Sequence, residues 1–530
     1  MKLLKTSIYL LITISFITNL QAQTFNVTWG DKARLNKSFD DAVKVEGGKS
    51  IVLRKDYSGG GMFSKQKIKI VFLLVDANTE TLLEREYEAE EKNIYYKGFE
   101  KYGKNIFFTY EVYDKETKFT TLYGEKIDSK TLKTLEKVSI GSFESDSKSD
   151  QASISLQLSQ DSSKILLLVQ APERKKENRK FFISVLNTDL KKIWSKEVEL
   201  PFTQKFIYII NSSISDEGKV YVSVKNYDKE VSRESVMENG SKVPSYIYKI
   251  LIYAQNAKEK EIVLNMGENF VDQSILSFNK ISGIVTVGGM YKQKLKGKIN
   301  GVFYASLDAK TDVITSPKLV PFDSEILTRI DKDGFASDNE KDPGLDKYYK
   351  IIHVAKRPNG SIDLVCEYRY FSETYYMGSQ GSSGYTQYSY QYGTILNTNI
   401  DKAGKAIFTR VPKNQKFSAR NFSFNGFLSF FPTIYKNNLV LLFNDDKDNI
   451  DRDLNKKPDD IMNFKSSVLA AATIDEKGVL TRQAILSNDD EDYICLPMSF
   501  TQISENSIMV ISDLFKMFKK RTRYGIMKIK

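Results

Sequence analysis

One short pattern recurs eight times along this chain: a polar turn followed directly by an apolar strand. Glu46-Gly-Gly-Lys-Ser precedes the strand at Ile51, and Asp216-Glu-Gly-Lys precedes the strand at Val220. Gly, Asn and Asp accept the positive φ of a tight hairpin, and the β-branched and aromatic residues that follow favour a strand. A pattern repeated this often indicates one supersecondary unit used many times. The eight strands begin at Ile51, Ile106, Ile165, Val220, Ile284, Ile362, Leu439 and Ile508.

Two further patterns complete the unit. An alternating strand that ends in an Asp or Asn turn, such as residues 70–75 before Asp76 and 468–474 before Asp475, lies between successive copies of the first pattern. Another strand precedes each polar turn, as in residues 348–355 and 493–500. Each unit is therefore predicted to have four antiparallel strands, which we call A to D, and helix signals are almost absent.

The last unit lacks its D strand, and the beginning of the chain offers a replacement. Residues 24–29 alternate in polarity, and Trp29 would correspond to Trp194 in the D strand of the third unit. We therefore predict an all-β fold, a single β-propeller of four-stranded antiparallel blades over residues 24–530, closed by the N-terminal strand. Eight blades are favoured, and seven is the alternative count. A tandem of β-sandwiches is the competing fold.

The turn-then-strand motif resembles the blade signature of many extracellular bacterial propellers. Over residues 24–530 the chain resembles uncharacterised secreted β-propeller-like proteins of Bacteroidota-type bacteria. The resemblance implies the fold and export, and it transfers no catalytic pattern.

The first 23 residues have the layout of a signal peptide. Lys2 and Lys5 precede an uncharged apolar run over residues 7–20, and the segment ends in Gln21-Ala22-Gln23. This predicts an exported, periplasmic or extracellular protein without a stable membrane anchor after cleavage. An uncleaved anchor is the alternative, although the apolar run is shorter than the ~20 residues of a spanning helix.

Composition excludes several kinds of site. His353 is the only histidine, so no multi-histidine metal site can form, and Cys366 and Cys495 are too few for a zinc–thiolate cluster. No phosphate-binding Gly loop, dinucleotide fingerprint or nucleophile elbow is present. We therefore expect no cofactor. His353 is expected in an inner strand, and both cysteines are expected as buried, unpaired thiols.

The loops between the B and C strands share one face of a propeller and carry the unusual sequence. Basic residues recur in three of them, and together they could attract an anionic partner; solvated loops are the alternative. Nucleic acid is not expected, because no groove combines stacking and basic residues. The basic candidates are Arg174, Lys175, Lys294, Lys296, Lys520 and Arg521.

The sixth of these loops is rich in tyrosine around Gly378-Ser-Gln-Gly-Ser-Ser-Gly384. Tyr combined with Gly and Ser provides rigid amphipathic contacts on an adaptable backbone, as in a binding paratope. The alternative is a hairpin whose aromatic rings pack on one another and on the blade. The candidate ligand-binding residues are Tyr375, Tyr376, Tyr385, Tyr388 and Tyr390.

The seventh loop is acidic, and Asp451-x-Asp453-x-Asn455 begins like a calcium loop. Lys456 replaces the glycine of that template, and Met462 stands where its bidentate Glu belongs. The EF-hand template therefore fails, and a solvated acidic turn is favoured over a calcium site of another kind.

Two functions follow from these observations. The first is a secreted, non-catalytic binding or scaffold propeller that recognises a protein or a glycan through its B–C loop face. The second is a carbohydrate-active enzyme that uses carboxylates at the mouth of the central channel, because glycoside chemistry needs only two suitably spaced acids.

Overall fold

The structure is a computed structural model that describes residues 23–530 with several internal gaps. The residues outside the description are 1–22, 35–36, 59–66, 89–93, 146, 148–151, 173–176, 204–205, 228–234, 239–240, 338–341, 378–383, 421–425 and 517–518. The predicted signal peptide lies almost entirely outside the described residues, so it stays a prediction.

The described residues form eight antiparallel sheets of four or more strands. In chain order, the first four sheets consist of Lys37–Lys44, Ser50–Ser58, Lys67–Val75 and Thr81–Tyr87; Tyr95–Tyr102, Asn105–Asp114, Phe119–Ile127 and Thr134–Glu144; Ser153–Leu158, Lys164–Gln170, Asn178–Asn187 and Lys192–Thr203; and Ile207–Ile214, Val220–Tyr227, Tyr246–Tyr253 and Lys260–Leu264.

The next three sheets consist of Phe270–Asn279, Ile284–Lys292, Gly301–Asp308 and Lys318–Pro321; Tyr349–Lys356, Ile362–Tyr376, Tyr385–Ile400 and Ala406–Val411; and Phe431–Tyr435, Asn438–Asp445, Val468–Ile474 and Leu480–Ser487. The eighth sheet contains Thr501–Ser504, Ser507–Lys516, Lys519–Ile529 and Phe25–Trp29, with the short strands Ala33–Arg34 and Ile494–Cys495 at its edges. Further short strands are Ser235–Glu238, Ser241–Pro244, Ala336–Ser337, Gly344–Leu345 and Gln415–Ala419.

The N-terminal strand pairs with the last sheet, as predicted. Phe25–Trp29 pairs antiparallel with the last C strand, and Phe25 lies opposite Ile529 while Trp29 lies opposite Gly525. Beside this strand pair, the Arg523 guanidinium lies between the rings of Trp29 and Tyr493, at 3.9 and 4.1 Å from their centroids. The N-terminal strand therefore serves as the D strand of the eighth sheet.

Eight apolar clusters join the sheets in a circuit. Each cluster combines buried side chains of two consecutive sheets, such as Leu53 of the first sheet and Phe108 of the second. The eighth cluster closes the circuit, because it packs Met509 and Tyr524 of the eighth sheet against Val52 of the first sheet. Because the circuit returns to its start, the fold is the predicted β-propeller rather than a tandem of separate sandwiches. Strand pairing identifies eight sheets of four or more strands. The number of propeller blades that these sheets form stays a prediction.

The turns have the backbone that the repeat predicted. Gly218 and Gly360 lie in the A–B turns of the fourth and sixth sheets with φ of 86° and 88°, which glycine adopts at low cost. The B strands that follow these turns are apolar and buried almost throughout, as in Lys164–Gln170. They are covered on both faces, which explains their continuous rather than alternating hydrophobicity.

One local prediction was wrong. Residues 493–500 do not form one A strand: Ile494–Cys495 is followed by a 3₁₀ turn at Pro497–Ser499, and Thr501–Ser504 is the strand beside Ser507–Lys516. Pro497 lacks the backbone N–H that a continuous strand would need there.

The connection between the fifth and sixth sheets contains the helix Ser324–Asp331, which the low helix signal did not predict. The Asp323 carboxylate caps its N-terminus by accepting the N–H of Ile326 at 2.7 Å. The remaining helical segments are Asn488–Glu491 and the 3₁₀ turns Glu46–Gly48, Lys447–Asn449 and Phe464–Ser466. No helix within the described ranges is long and apolar enough to cross a membrane.

Candidate functional site

The B and C strands of the sixth sheet are longer than their neighbours. They have 15 and 16 residues, whereas the A strand of that sheet pairs with the B strand only as far as Tyr368. Beyond that point the two strands continue as a projecting pair, residues 369–377 and 384–392, which we call the tyrosine hairpin. Its base comprises residues 369–372 and 388–392, and its tip comprises residues 373–377 and 384–387.

The base is fixed by a third strand. Gln415–Ala419, in the connection to the seventh sheet, pairs with residues 388–392 of the C strand. Tyr390 and Tyr392 pack against an apolar cluster supplied by that connection and by two neighbouring loops. The members of this cluster are Tyr390, Tyr392, Phe417, Phe427, Leu428, Ile461, Phe464 and Ile494. The C-strand side of the base is therefore packed against the core.

The tip has no such cover among the described residues. The Tyr375 side chain is 65% exposed, and Tyr376 and Tyr385 are 44% and 37% exposed. The rings of Tyr376 and Tyr385 stack with centroids 5.2 Å apart, and the Arg420 guanidinium lies 4.4 Å from the centroid of Tyr385. Tyr375 lies on the opposite face of the hairpin, because neighbouring residues of a strand alternate between faces. Both faces of the tip therefore present tyrosine rings to solvent.

Beneath the base lies a buried ion pair. The Lys413 Nζ is 2.7 Å from Glu367 Oε1, and both side chains are fully buried. Arg369 and Ser429 donate hydrogen bonds to the other Glu367 oxygen at 2.7 and 2.6 Å. Burial alone would raise the pKa of Glu367, but the adjacent cations Lys413 and Arg369 outweigh it and hold that pKa below its usual value. The carboxylate is therefore held in its charged form beside two cations.

The same polar cluster joins several loops. Gln415 Nε2 donates to the carbonyl of Asn444 at 2.8 Å, and Asn444 Nδ2 donates to the carbonyl of Cys495 at 2.9 Å. A second buried pair, Arg410 with Asp333, links the sixth sheet to the segment after the helix. The two amide bonds provide partners for the backbone carbonyl groups of Asn444 and Cys495.

Asp445 lies at the end of the seventh B strand in the same layer. Its Oδ1 accepts a hydrogen bond from Asn449 at 2.8 Å, and its Oδ2 is 3.5 Å from Arg482. Burial raises the pKa of Asp445 to about 6, because the nearby cation and hydrogen bonds offset only part of the desolvation.

This arrangement combines a rigid support with an accessible aromatic tip. The described tip residues are mostly Tyr, Thr and Gln, and Glu373 is the charged side chain among them. Tyrosine gives a large contact area at low conformational cost, and it can hydrogen-bond as well as stack. The tip therefore offers exposed rings that can stack and hydroxyl groups that can hydrogen-bond.

The predicted ligand-binding residues divide between the two parts of the hairpin. Tyr375, Tyr376 and Tyr385 lie at the tip and are exposed, whereas Tyr388 and Tyr390 lie in the base and are partly buried. The packing alternative thus describes the base, whereas the tip rings are accessible and ligand binding by them stays a prediction.

The predicted basic residues are only partly described. Arg174 and Lys175 lie outside the described residues, as does the side chain of Lys520. Lys294 and Lys296 are exposed in the fifth B–C loop, and Arg521 is exposed on the eighth sheet, which is not a neighbour of the fifth.

Acidic partners reduce the local positive charge of the same loops. Lys292 pairs with Asp272 at 2.6 Å, and Lys298 pairs with Asp346 at 3.3 Å. The fifth B–C loop, with the strand end that leads into it, contains four lysines, Lys292, Lys294, Lys296 and Lys298. Two of them form ion pairs within the protein, which weakens the argument for a concentrated basic face.

The weak calcium candidates are exposed. Asp451, Asp453 and Asn455 all face solvent, and Asp453 Oδ1 accepts the backbone N–H of Asn455 at 2.9 Å. Within the described ranges, no group of three or more His, Cys, Asp or Glu side chains is placed to hold a metal ion. The loop instead folds around Asn449, which donates to the carbonyl of Asp459 at 3.1 Å.

Acids do occur on the A strands of the first two sheets, where the enzyme alternative would need them. The Asp40 carboxylate pairs with Lys55 and accepts from Ser38, and Asp41 accepts from Tyr96. Glu100, on the second A strand, accepts from Tyr102. Each carboxylate is thus bound to a neighbouring side chain, so this group gives the enzyme alternative no specific support.

The single histidine and the two thiols lie in the sheets. His353 is on the sixth A strand, and burial lowers its pKa. Cys366 and Cys495 are buried and unpaired, as predicted, and burial raises the pKa of each thiol to about 12. Thiols with such pKa values are poor nucleophiles at neutral pH.

Sequence reasoning missed the residues that hold the base. Glu367 and Lys413 are 46 positions apart, as are Asn414 and Asp460, whose side chains hydrogen-bond at 2.6 Å. No short motif marks such contacts, because the partners lie far apart in the sequence and in different elements. A charged residue inside an otherwise apolar strand, such as Glu367 after Leu364-Val-Cys, is the one signal the sequence contains.

No known protein family and no curated protein sequence matches the chain. Solved structures do resemble it. The β-propeller domain of the Trilobed protease from Pyrococcus furiosus, which has an open velcro topology, aligns with a TM-score of 0.36 and 12% identity over 86% of this chain and 98% of that chain. The WD40 domain of SCAP from fission yeast aligns with a TM-score of 0.35 and 8% identity over 96% of both chains.

A protein of unknown function from Dyadobacter fermentans aligns with a TM-score of 0.30 and 11% identity over 73% of this chain and 97% of that chain. At these TM-scores and identities the similarities carry no argument about ligands or activity. The fold assignment rests on the strand pairings and apolar clusters described above.

Proposed function

We propose that this chain is an exported, non-catalytic binding protein whose propeller supports the tyrosine hairpin as its ligand-contacting element. The ligand class is a protein segment or a glycan. The observation that carries the proposal is the exposure of Tyr375, Tyr376 and Tyr385 on a base that is locked into the core.

The difference in burial between the packed base and the exposed tip supports this proposal on energetic grounds. A two-stranded hairpin is marginal by itself in water, so its tip owes its order to the base. The cluster around Leu428 and the buried Lys413–Glu367 pair provide that order. A rigid support lowers the conformational cost of binding at the tip.

The test compares tip tyrosines with a matched tyrosine elsewhere. The mature protein and a Tyr375→Ser/Tyr376→Ser/Tyr385→Ser variant are screened on a glycan array and on an array of linear decapeptides. Tyr208→Ser is the control, because Tyr208 has the same 44% exposure as Tyr376 but lies on the fourth sheet. We expect the triple variant to lose at least tenfold in affinity and the control to lose less than twofold.

Circular dichroism and melting temperature establish that each variant is folded. Full binding by the triple variant, an equal loss in the Tyr208→Ser control, or no ligand on either array would contradict the proposal.

A further inference from the structure

One edge of the tyrosine hairpin has no partner strand. Pairing between the A and B strands of the sixth sheet ends at Tyr368, and no strand in the described part of the chain pairs with residues 371–376 on that side. The opposite edge differs, because Gln415–Ala419 covers the C strand there. The open edge therefore belongs to the B strand alone.

The direction of the backbone groups along this edge follows from one hydrogen bond. The N–H of Arg369 donates to the carbonyl of Tyr348 at 3.0 Å, so it points away from the C strand. Pairing with the C strand is regular from Arg369 to Tyr376. Because N–H and C=O directions alternate along a strand, the N–H and C=O groups of Phe371, Glu373 and Tyr375 point to the open side.

Among the described residues, this edge has one of the usual protective features, the charged side chain of Glu373. Natural sheets shield an edge with lysine, proline, a bulge or a covering loop. Residues 371–376 contain no lysine or proline, their register has no bulge, and Glu373 is their one charged side chain. Phe371 and Tyr375 stand exposed at 46% and 65% on the same face as Glu373.

We infer that the ligand of the proposed binding site is an extended peptide segment of another protein, which adds a strand to this edge. The inference rests on the proposed function and specifies its ligand class. Backbone N–H and C=O groups of Phe371, Glu373 and Tyr375 pair with the added strand, and the exposed aromatic rings contact its alternate side chains. A basic side chain of the segment lies opposite Glu373.

Charge argues against a second copy of this chain as the partner. The antiparallel register that uses all three outward residues places Glu373 of one copy opposite Glu373 of the other. Like charges directly opposite each other destabilise a strand pair. A segment with lysine or arginine at that position removes the repulsion and forms a cross-strand ion pair.

The first experiment removes one outward backbone donor. Glu373→Pro deletes the N–H of residue 373 without deleting a hydrogen bond of the hairpin, because proline is tolerated where the N–H faces solvent on an edge strand. Glu373→Ala also removes the carboxylate but keeps the N–H. Both variants of the mature protein are tested against decapeptides with alternating apolar residues and a central lysine, selected on the array. We expect Glu373→Ala to weaken binding several-fold and Glu373→Pro to weaken it at least tenfold further.

The second experiment uses the unmodified protein, so it does not depend on the folding of a variant. Hydrogen–deuterium exchange is followed over residues 369–377 with and without the selected decapeptide. We expect the amides of Phe371, Glu373 and Tyr375 to exchange rapidly in the free protein and at least tenfold more slowly in the complex. The amides of Ser372 and Thr374, already paired within the hairpin, should change much less.

The outcomes separate this inference from the proposed function. Equal binding by Glu373→Pro and Glu373→Ala, with unchanged exchange of the outward amides, overturns strand addition. If the three tip tyrosines are still required, for a glycan for example, the proposed function survives that result. A dimer in solution that Glu373→Pro disrupts, or that protects the same amides without peptide, also overturns the inference in favour of self-pairing.

Discussion

The base and the tip of the tyrosine hairpin contain the same residue type in the same two strands, yet they have opposite environments. Tyr390 and Tyr392 pack in a cluster with Leu428 and Phe464, whereas Tyr375 and Tyr376 face solvent. The difference comes from the surrounding connections, which supply a third strand and apolar cover only as far as residue 388. Composition therefore shows that a segment is aromatic, and the neighbouring connections decide which of its rings are buried and which are exposed.

The largest effect is expected from breaking the ion pair under the base. Lys413→Met leaves the Glu367 carboxylate buried without its principal cation, and we expect the free energy of unfolding to fall by about 3–5 kcal/mol. Denaturant unfolding followed by tyrosine and tryptophan fluorescence measures the change. The control is Lys416→Met, because Lys416 pairs with Asp460 at the surface and should cost at most about 1 kcal/mol. Equal effects of the two substitutions would mean that the base is not specially anchored.

The apolar part of the base should give a slightly smaller effect. Leu428 is fully buried in the cluster beneath Tyr390, so Leu428→Ala creates a cavity and should cost about 2–5 kcal/mol. Leu135, exposed on the outer strand of the second sheet, provides the matched control, and Leu135→Ala should cost less than about 0.5 kcal/mol. A loss below about 1 kcal/mol for Leu428→Ala would show that the base does not depend on this cluster.

The stability of the protein should depend on pH through Asp445, which lies in the polar layer beneath the base. Burial raises the pKa of Asp445 to about 6 from an ordinary value of 3.8, so the folded state binds this proton more tightly than the unfolded state. The contribution of the protonated Asp445 carboxyl to the free energy of unfolding is therefore complete below pH 3.8, and it is lost as the pH rises through about 6. The loss amounts to at most about 3 kcal/mol.

The measurement compares urea unfolding of the wild type and Asp445→Asn between pH 4 and 7. The wild type should lose stability relative to the variant over this range, because asparagine does not titrate. Parallel profiles would contradict the raised pKa.

The smallest effect on stability is expected at the tip. Tyr375→Ser removes a ring that is 65% exposed, so the free energy of unfolding should change by no more than about 0.5 kcal/mol. The same denaturant assay measures it, with binding measured in parallel. A stability loss comparable to that of Leu428→Ala would show that the tip is structural and would remove the distinction between tip and base.

Much of the fold was predictable because it depends on local, repeated chemistry. The turn at Gly218 and the apolar strand after it need only glycine at positive φ and a run of β-formers. The pairing of Phe25–Trp29 with the last sheet was also predictable, since an unpaired strand and an incomplete unit complement each other. Such features leave a signal within a few residues of the place where they act.

The candidate site was predictable only in part. The tyrosines of the hairpin are visible in the sequence, but their division into buried and exposed groups depends on Gln415–Ala419 and on the loop that carries Phe464. The Glu367–Lys413 contact joins the sixth B strand to the connection after the sixth D strand, and no spacing rule predicts it. The direction of the backbone at Glu373 likewise emerges only once the strand register is known.

The closure of the propeller has a consequence for its biosynthesis. Phe25–Trp29 emerges from the ribosome early, but its partner Lys519–Ile529 is made after all the other sheets. A nascent chain must therefore keep two sheet edges unpaired for most of its synthesis, and the slow, long-range pairing step comes last. A premature stop codon anywhere before Gly525 would leave that seam open, so even a nearly full-length product should be prone to aggregation and proteolysis.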